Sequence, residues 1–323
     1  MCEKEGAVFA PNTYAYRDGF SEAHALAHVL YRLNQGKNYY AFVFELPYDL
    51  KLVSDKALSL GIKRGCFGKD IRNKLFHKAL SVDDYHRLYN AVYYDLDSWL
   101  YSQWEGYPEI ASFGLKRKYR GETLDKSKQY ARMRETKMKE FYYVRYNQSV
   151  IFLGKNVSDM KKLAFAVANK LKRFEGIDVE VPKVVDVRKD KICFHNFAIR
   201  LVMRHGKYVA ETRVRVERCR AIKLELKKAF KRVMASRNIA KDVVDYNSLV
   251  GRYKRDFRYA TRINDDFGKI AREFDIWCYH QLTRDNRSGY HKKDGDSTVR
   301  VYRGQVIKTL YGTTFFAPHM KKR

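Results

Sequence analysis

Tyr142-Tyr-Val-Arg-Tyr-Asn-Gln-Ser-Val-Ile-Phe-Leu-Gly154 decides how this chain is read. Aromatic and β-branched residues lie on both sides of the polar Asn147-Gln148-Ser149, and Tyr142–Leu153 reads as a β-hairpin. A helix is expected next over Ser158–Phe174, with Met160, Leu163, Ala164, Val167, Leu171 and Phe174 at helical spacing. Two further hairpins are expected: Val184–Val187 with Lys191–Phe194 around Lys189-Asp190, and Phe197–Met203 with Lys207–Arg213 around His205-Gly206.

Upstream, Ser21 can cap a helix over Ser21–Leu33 whose Leu26, Val29, Leu30 and Leu33 share a face. Tyr39–Leu46 reads as a buried strand stopped by Pro47. Leu80–Tyr101 reads as a helix with Leu88, Val92, Leu96 and Leu100 four apart. After Val214 the pattern turns helical. Arg218–Met234 carries the stripe Ile222, Leu226, Ala229, Phe230 and Val233, and a second helical block spans Lys241–Thr283. Arg284–Arg323 is basic and Gly-containing, and is expected as an extension that orders on a partner.

The 323 residues allow two domains, or one with an appended module. Lys plus Arg number 65 against 37 Asp plus Glu, a net +28, which points to a polyanionic partner held by a salt-sensitive term. A hydrophobic fraction of 45% argues against a disordered chain, and an aromatic fraction of 15% among the basic residues suits stacking on unpaired bases. No apolar run reaches the length of a membrane span. The five cysteines lack paired metal-ligand spacing and read as reduced thiols. His24 and His28 stand four apart on a helix, a metal-compatible spacing with no third ligand evident nearby, so neither a metal nor a cofactor is expected. Met1-Cys-Glu-Lys-Glu-Gly has neither an apolar signal core nor the acid-poor look of a transit peptide, so the expectation is a cytosolic protein, one made inside an organelle, or one shown without its presequence.

Six segments, in order, resemble the reverse transcriptase of group II introns, the intron maturase. Tyr16-Arg17-Asp18-Gly19-Phe20-Ser21 is similar to its aromatic-Arg-Pro-Gly-Arg-Ser segment, with Asp18 for proline and Phe20 for arginine. Phe42-Val43-Phe44-Glu45-Leu46, through Leu50-Lys51-Leu52-Val53, resembles the strand of the first catalytic aspartate, with Glu45 in its place and Lys51 in a second, usually acidic, slot. Leu88–Asp97 resembles the palm helix ending in Leu-Asp. The hairpin matches the Arg-Tyr pair that precedes two aspartates, whose slots hold Gln148 and Ser149. Gly176-Ile177, Lys183 and Phe194–Ile199 form the fifth. Tyr246-Asn247-Ser248-Leu249-Val250-Gly251, with Tyr253 and Tyr259, is similar to the thumb-like domain X that grips intron RNA.

The resemblance covers roughly 12–283 and implies an α+β right-hand polymerase-like architecture: fingers and palm with an antiparallel sheet and packed helices over 1–213, an α-helical, domain X-like thumb over 214–283, and the basic extension 284–323. It also implies that polymerase chemistry is lost. Two-metal phosphoryl transfer needs several palm carboxylates, and Glu45 alone is left at the three positions, beside neutral Gln148 and Ser149. The Gly-Thr-Pro-Gln-Gly turn has no counterpart beyond a weak remnant at Arg64–Gly68, and Asp49, Asp95 and Asp97 are the only acids that suggest a rebuilt site.

Expected RNA contacts are Arg17 in the fingers, and Lys116, Arg117, Lys118 and Arg120 in the basic segment Leu115–Lys139. Arg218, Arg220, Lys223, Lys227, Lys228 and Arg232 are expected on the first thumb helix, and Arg252, Lys254, Arg255 and Arg258 beside the domain X-like motif. Each also reads as ordinary surface charge. The first functional expectation is a non-enzymatic RNA-binding protein: an organellar maturase-type splicing cofactor that holds a group II intron, with mitochondrion ahead of plastid and organelle encoding implied by the resemblance. The alternative is a structural rRNA-binding component of an organellar ribosome, in contact with ribosomal proteins. Residual RNA-dependent DNA polymerase activity ranks third.

Overall fold

The computed structural model describes residues 9–17, 19–68, 70–107, 139–257, 260–261, 268–283, 289–294 and 297–310. The chain is mixed α+β, and the described residues hold nine α-helices and antiparallel sheets. It divides into two compact units. The first contains the chain up to His195 together with Arg200–Ala210; the second contains Asn196–Ile199 and the chain from Glu211 onward.

The first unit is built on a four-stranded sheet of β1 (Tyr40–Glu45), β2 (Phe141–Tyr146), β3 (Ser149–Gly154) and β4 (Val185–Asp186), in the order β2-β3-β1-β4. Every pairing is antiparallel. Helices α1 (Glu22–Asn34), α2 (Asp55–Arg64), α3 (Ile71–Phe76), α4 (Val82–Val92) and α5 (Tyr94–Gln103) precede β2, and α6 (Val157–Lys170) follows β3. The chain therefore runs β-α-β-β-α-β, with β4 returning to the far side of β1: the split βαβ arrangement. β3 lies between two strands and all six of its residues are buried, which is why it reads as a continuous apolar run. Its Phe152 is in register with Phe42 on one side and Tyr143 on the other. The Phe42 and Phe152 rings stack at 4.6 Å, and Tyr143 lies 6.2 Å from Phe152.

Several expected elements differ in detail. Leu80–Tyr101 is two helices broken at Tyr93, but Leu88, Val92, Leu96 and Leu100 are all buried, so the break leaves the apolar face intact. The helix over Ser158–Phe174 ends in a single π turn, Leu171–Glu175. The wider turn rotates Phe174 off the apolar stripe, and it is half-exposed. Gly176 stops that turn at φ +72, where an added Cβ would stand 2.7 Å from Ser54 Cβ. Val185-Asp186 pairs with Tyr40-Ala41 of β1, where pairing with Lys191–Phe194 was expected, so this segment completes the main sheet. Helices α2 and α3 lie in a stretch for which the periodicity assigned no helix.

The hairpin of β6 (Phe197–Arg204) and β7 (Lys207–Val214), which follows β5 (Ile192–Phe194), forms as expected. Both of its turn residues, His205 and Gly206, have positive φ, as a two-residue hairpin turn of right-handed strands prefers.

In the second unit α7 (Val216–Ala235) buries Ile222, Leu226, Ala229, Phe230 and Val233, the expected stripe, together with Cys219. It packs on α8 (Ile239–Asp256) and α9 (Lys269–Thr283). Residues 289–294 and 297–310 add an antiparallel meander, β8 (Gly289–Asp294), β9 (Ser297–Tyr302) and β10 (Gln305–Ile307). Asn247 of α8 binds the outer edge of this meander like a missing strand. Its Nδ2 donates to Val306 O, and its Oδ1 accepts from Lys308 N, both at 2.8 Å. The segment expected to order on a partner thus contributes strands that dock on the helices of its own unit.

Candidate nucleic-acid interface

At the sheet end where the resemblance puts catalytic carboxylates, Glu45 and Ser149 are register partners on β1 and β3. The Ser149 hydroxyl donates to the Glu45 carboxylate, 2.7 Å and 2.9 Å from its two oxygens. Ser149 is buried while Glu45 is exposed. Gln148 contributes its carbonyl, which accepts from Leu46 N at 2.8 Å. Asn147 makes the turn in the left-handed region, at φ 52. Its side-chain amide lies 3.3 Å from His195 Nε2, and His195 Nδ1 lies 2.5 Å from Glu22 Oε1. The Glu22–His195 pair beside the turn was missed in the sequence; 173 residues separate the two, and no local signal links them.

The other acids are engaged elsewhere. Asp97 is buried against Arg145, Asp95 pairs with Arg64 at 2.8 Å, and Asp49 caps its own 3-10 turn by accepting from Lys51 N. His24 Nδ1 accepts from Ser21 N. His28 Nε2 accepts from Arg32 Nε, so Nδ1 bears the proton toward Tyr14 Oη. Burial, with Arg32 beside it, lowers the His28 imidazole to about 4. Among the described residues no group of three or more His, Cys, Asp or Glu side chains is placed to hold a metal ion. No described helix is long and apolar enough to cross a membrane.

Arg145 anchors the hairpin. Its guanidinium is wholly buried and binds both Asp97 oxygens, Nε at 3.1 Å and 2.9 Å and Nη2 to Oδ2 at 2.7 Å, and Nη2 also donates to Asn90 Oδ1 at 2.9 Å. Asn90 Nδ2 in turn donates to Ala15 O, and Thr13 bridges the outer edge of β2 at Arg145. The Asp97 charge and these hydrogen bonds outweigh desolvation and hold the guanidinium above its ordinary pKa.

The expected RNA contacts separate into three groups. Lys116, Arg117, Lys118, Arg120 and Arg258, and the side chain of Lys254, lie outside the described residues. A second group is occupied within the protein. Arg17 donates to Thr13 O at 3.0 Å and packs over the Phe9 and Phe20 rings, with burial lowering its pKa. Lys223 pairs with Glu273, Lys227 lies over Trp277, Arg218 over Tyr253, and Arg252 pairs with Glu225. Arg220, Lys228, Arg232 and Arg255 form the third group, exposed in the second unit, and Lys231 joins them. In the domain X-like motif, Tyr246, Val250 and Tyr253 are core and Asn247 ties down the meander. Ser248 and Leu249 face a cleft between α7 and α8. No protein-family profile matches this chain, and no curated protein sequence matches it.

Proposed function

We propose that this is a catalytically inactive, reverse-transcriptase-like RNA-binding protein that acts as a maturase-type folding and splicing cofactor for a group II intron in an organelle. The observation that carries the reading is the strand end where β1 meets β3. Where the resemblance implies three carboxylates, a single glutamate accepts from a serine hydroxyl and the neighbouring glutamine contributes only its backbone. One carboxylate is a poor holder of two divalent ions. An antiparallel sheet with packed helices suits the palm that the resemblance implies. The exposed cations of α7 and α8 supply phosphate contacts, and the net charge of +28 supplies the long-range attraction.

A second reading, a structural rRNA-binding component of an organellar ribosome, draws on the same charge and on the basic segment 284–323. Crosslinking the protein to RNA in its native extract, followed by sequencing, separates the two. Reads over a group II intron are expected. Reads at fixed rRNA positions would transfer the assignment to the ribosome, and recovery of no RNA would end both readings.

A further inference from the structure

We propose that the cleft between α7 and α8 takes one unpaired nucleotide of the bound RNA and reads it as guanine, an inference that rests on the RNA-binding reading above. The cleft has a volume of about 320 Å³ and lies within the second unit. Asp242, Asp245, Arg252 and Arg255 line it from α8 at spacings of three and seven residues, one stripe of the helix, and Arg232 lines it from α7. Arg252 is held by Glu225, which also accepts from Tyr253 Oη. Arg232, Arg255, Asp242 and Asp245 have no ion-pair or side-chain hydrogen-bond partner among the described residues. Four charges of both signs thus share one cleft without meeting. Such a cleft fits a ligand that brings both donors and acceptors.

The charges are ordered along the cleft. Asp242 and Asp245 sit toward the start of α8, and Arg252 and Arg255 toward its end. At 1.5 Å per residue, Asp245 and Arg252 are about 10 Å apart along the axis, comparable to the reach from a phosphate to the far edge of its own base. Only three residues separate α7 from α8, so Arg232, near the end of α7, belongs to the acidic end. A carboxylate only accepts and a guanidinium only donates. Guanine fits that combination: adjacent N1–H and N2–H donors for a carboxylate, and O6 for Arg232. Adenine and cytosine place an acceptor nitrogen beside their amino group, facing the carboxylate, and uracil offers one donor between two acceptors. The phosphate then lies toward Arg255 and Arg252. Unpaired bases read on this edge are the usual targets of sequence-specific RNA binding.

Calorimetric titration of the full chain with GMP, AMP, CMP and UMP, and with inorganic phosphate, tests this. GMP should bind at least about fivefold more tightly than the other three, the lower end of discrimination by a bidentate contact. The Asp242→Asn/Asp245→Asn variant should lose that preference and keep its affinity for phosphate. Arg255→Gln should weaken all four nucleotides alike. Arg232→Gln should reduce the guanine preference without abolishing phosphate binding. Equal affinity for the four nucleotides, or a guanine preference that survives in the Asp242→Asn/Asp245→Asn variant, would overturn the assignment. RNA binding by the full chain is scored separately, with an oligonucleotide in which inosine replaces guanosine and so removes the N2 donors. If the chain binds RNA and ignores this replacement, the cleft assignment fails while the RNA reading stands. If it binds no RNA yet prefers GMP, the cleft is a site for a free guanine nucleotide, and both the RNA reading and the cleft's part in it are overturned.

Discussion

Asp97→Ala is the most searching perturbation of the fold. It leaves the Arg145 guanidinium, 0% exposed, without its counter-ion and, among the described residues, with only Asn90 and the carbonyl of Asn147 as acceptors. Removing one partner of a buried pair costs about 3–5 kcal/mol, a fifth or more of a typical domain's stability of about 5–15 kcal/mol. Replacing both partners by apolar residues avoids the stranded charge, so Arg145→Met/Asp97→Leu should be more stable than Asp97→Ala by about 2 kcal/mol or more. Urea unfolding followed by tryptophan fluorescence measures this. A Trp277→Phe background leaves Trp99 and Trp104, both in the first unit, as reporters. With a slope of about 3 kcal/mol/M, the single variant should lower the midpoint by about 1 M or more. A loss below about 1 kcal/mol for Asp97→Ala, or a double variant no more stable than the single, would refute a coupled buried pair at the base of the hairpin.

Phe152→Ala removes the ring between Phe42 and Tyr143 and should cost about 3–5 kcal/mol in the same unfolding assay. Burial raises the Glu175 carboxyl from 4.5 to about 7, so the folded state holds the extra proton; the stability this contributes is present below about 4.5 and lost as pH rises through about 7. Glu175→Gln should therefore gain about 1–3 kcal/mol at pH 8 and show no gain at pH 4.5, read from unfolding midpoints across that range. His28 acts in the opposite sense: its lowered pKa contributes stability that is lost as pH falls from 6.5 through about 4, and His28→Asn should flatten that limb of the profile. Arg220→Gln/Lys228→Gln/Lys231→Gln should weaken RNA binding and shrink the logarithmic salt slope by up to about 2–3. Arg17→Gln should leave the slope unchanged, because its guanidinium is occupied by Thr13 O and two rings.

What was legible in the sequence, and what was not, follows from the range of the interactions. The hairpin at 141–154, the capped helix after Ser21 and the stripe of α7 are set by neighbours a few residues apart, and patterning alone located them. The partner of β4 is chosen by a sheet edge about 145 residues upstream, and a two-residue strand carries no pattern that says so. The cations divide the same way. Arg17, Arg145 and Arg252 look in the sequence like Arg220 or Arg255. Yet the first three are committed to a carbonyl and two rings, to Asp97 and to Glu225, and the last two are exposed. Basic composition therefore predicts the sign of the partner without locating its contacts, and whether an arginine is free depends on acids distant in sequence. The strand end shows the converse. Gln148 and Ser149 were conspicuous as residue types, but the hydroxyl of Ser149 binding across to Glu45 depends on the register of two strands. That register closes a hydrogen bond at the position the resemblance assigns to a metal ligand, and the proposed RNA surface then has to be sought among the exposed cations that the fold leaves unpaired.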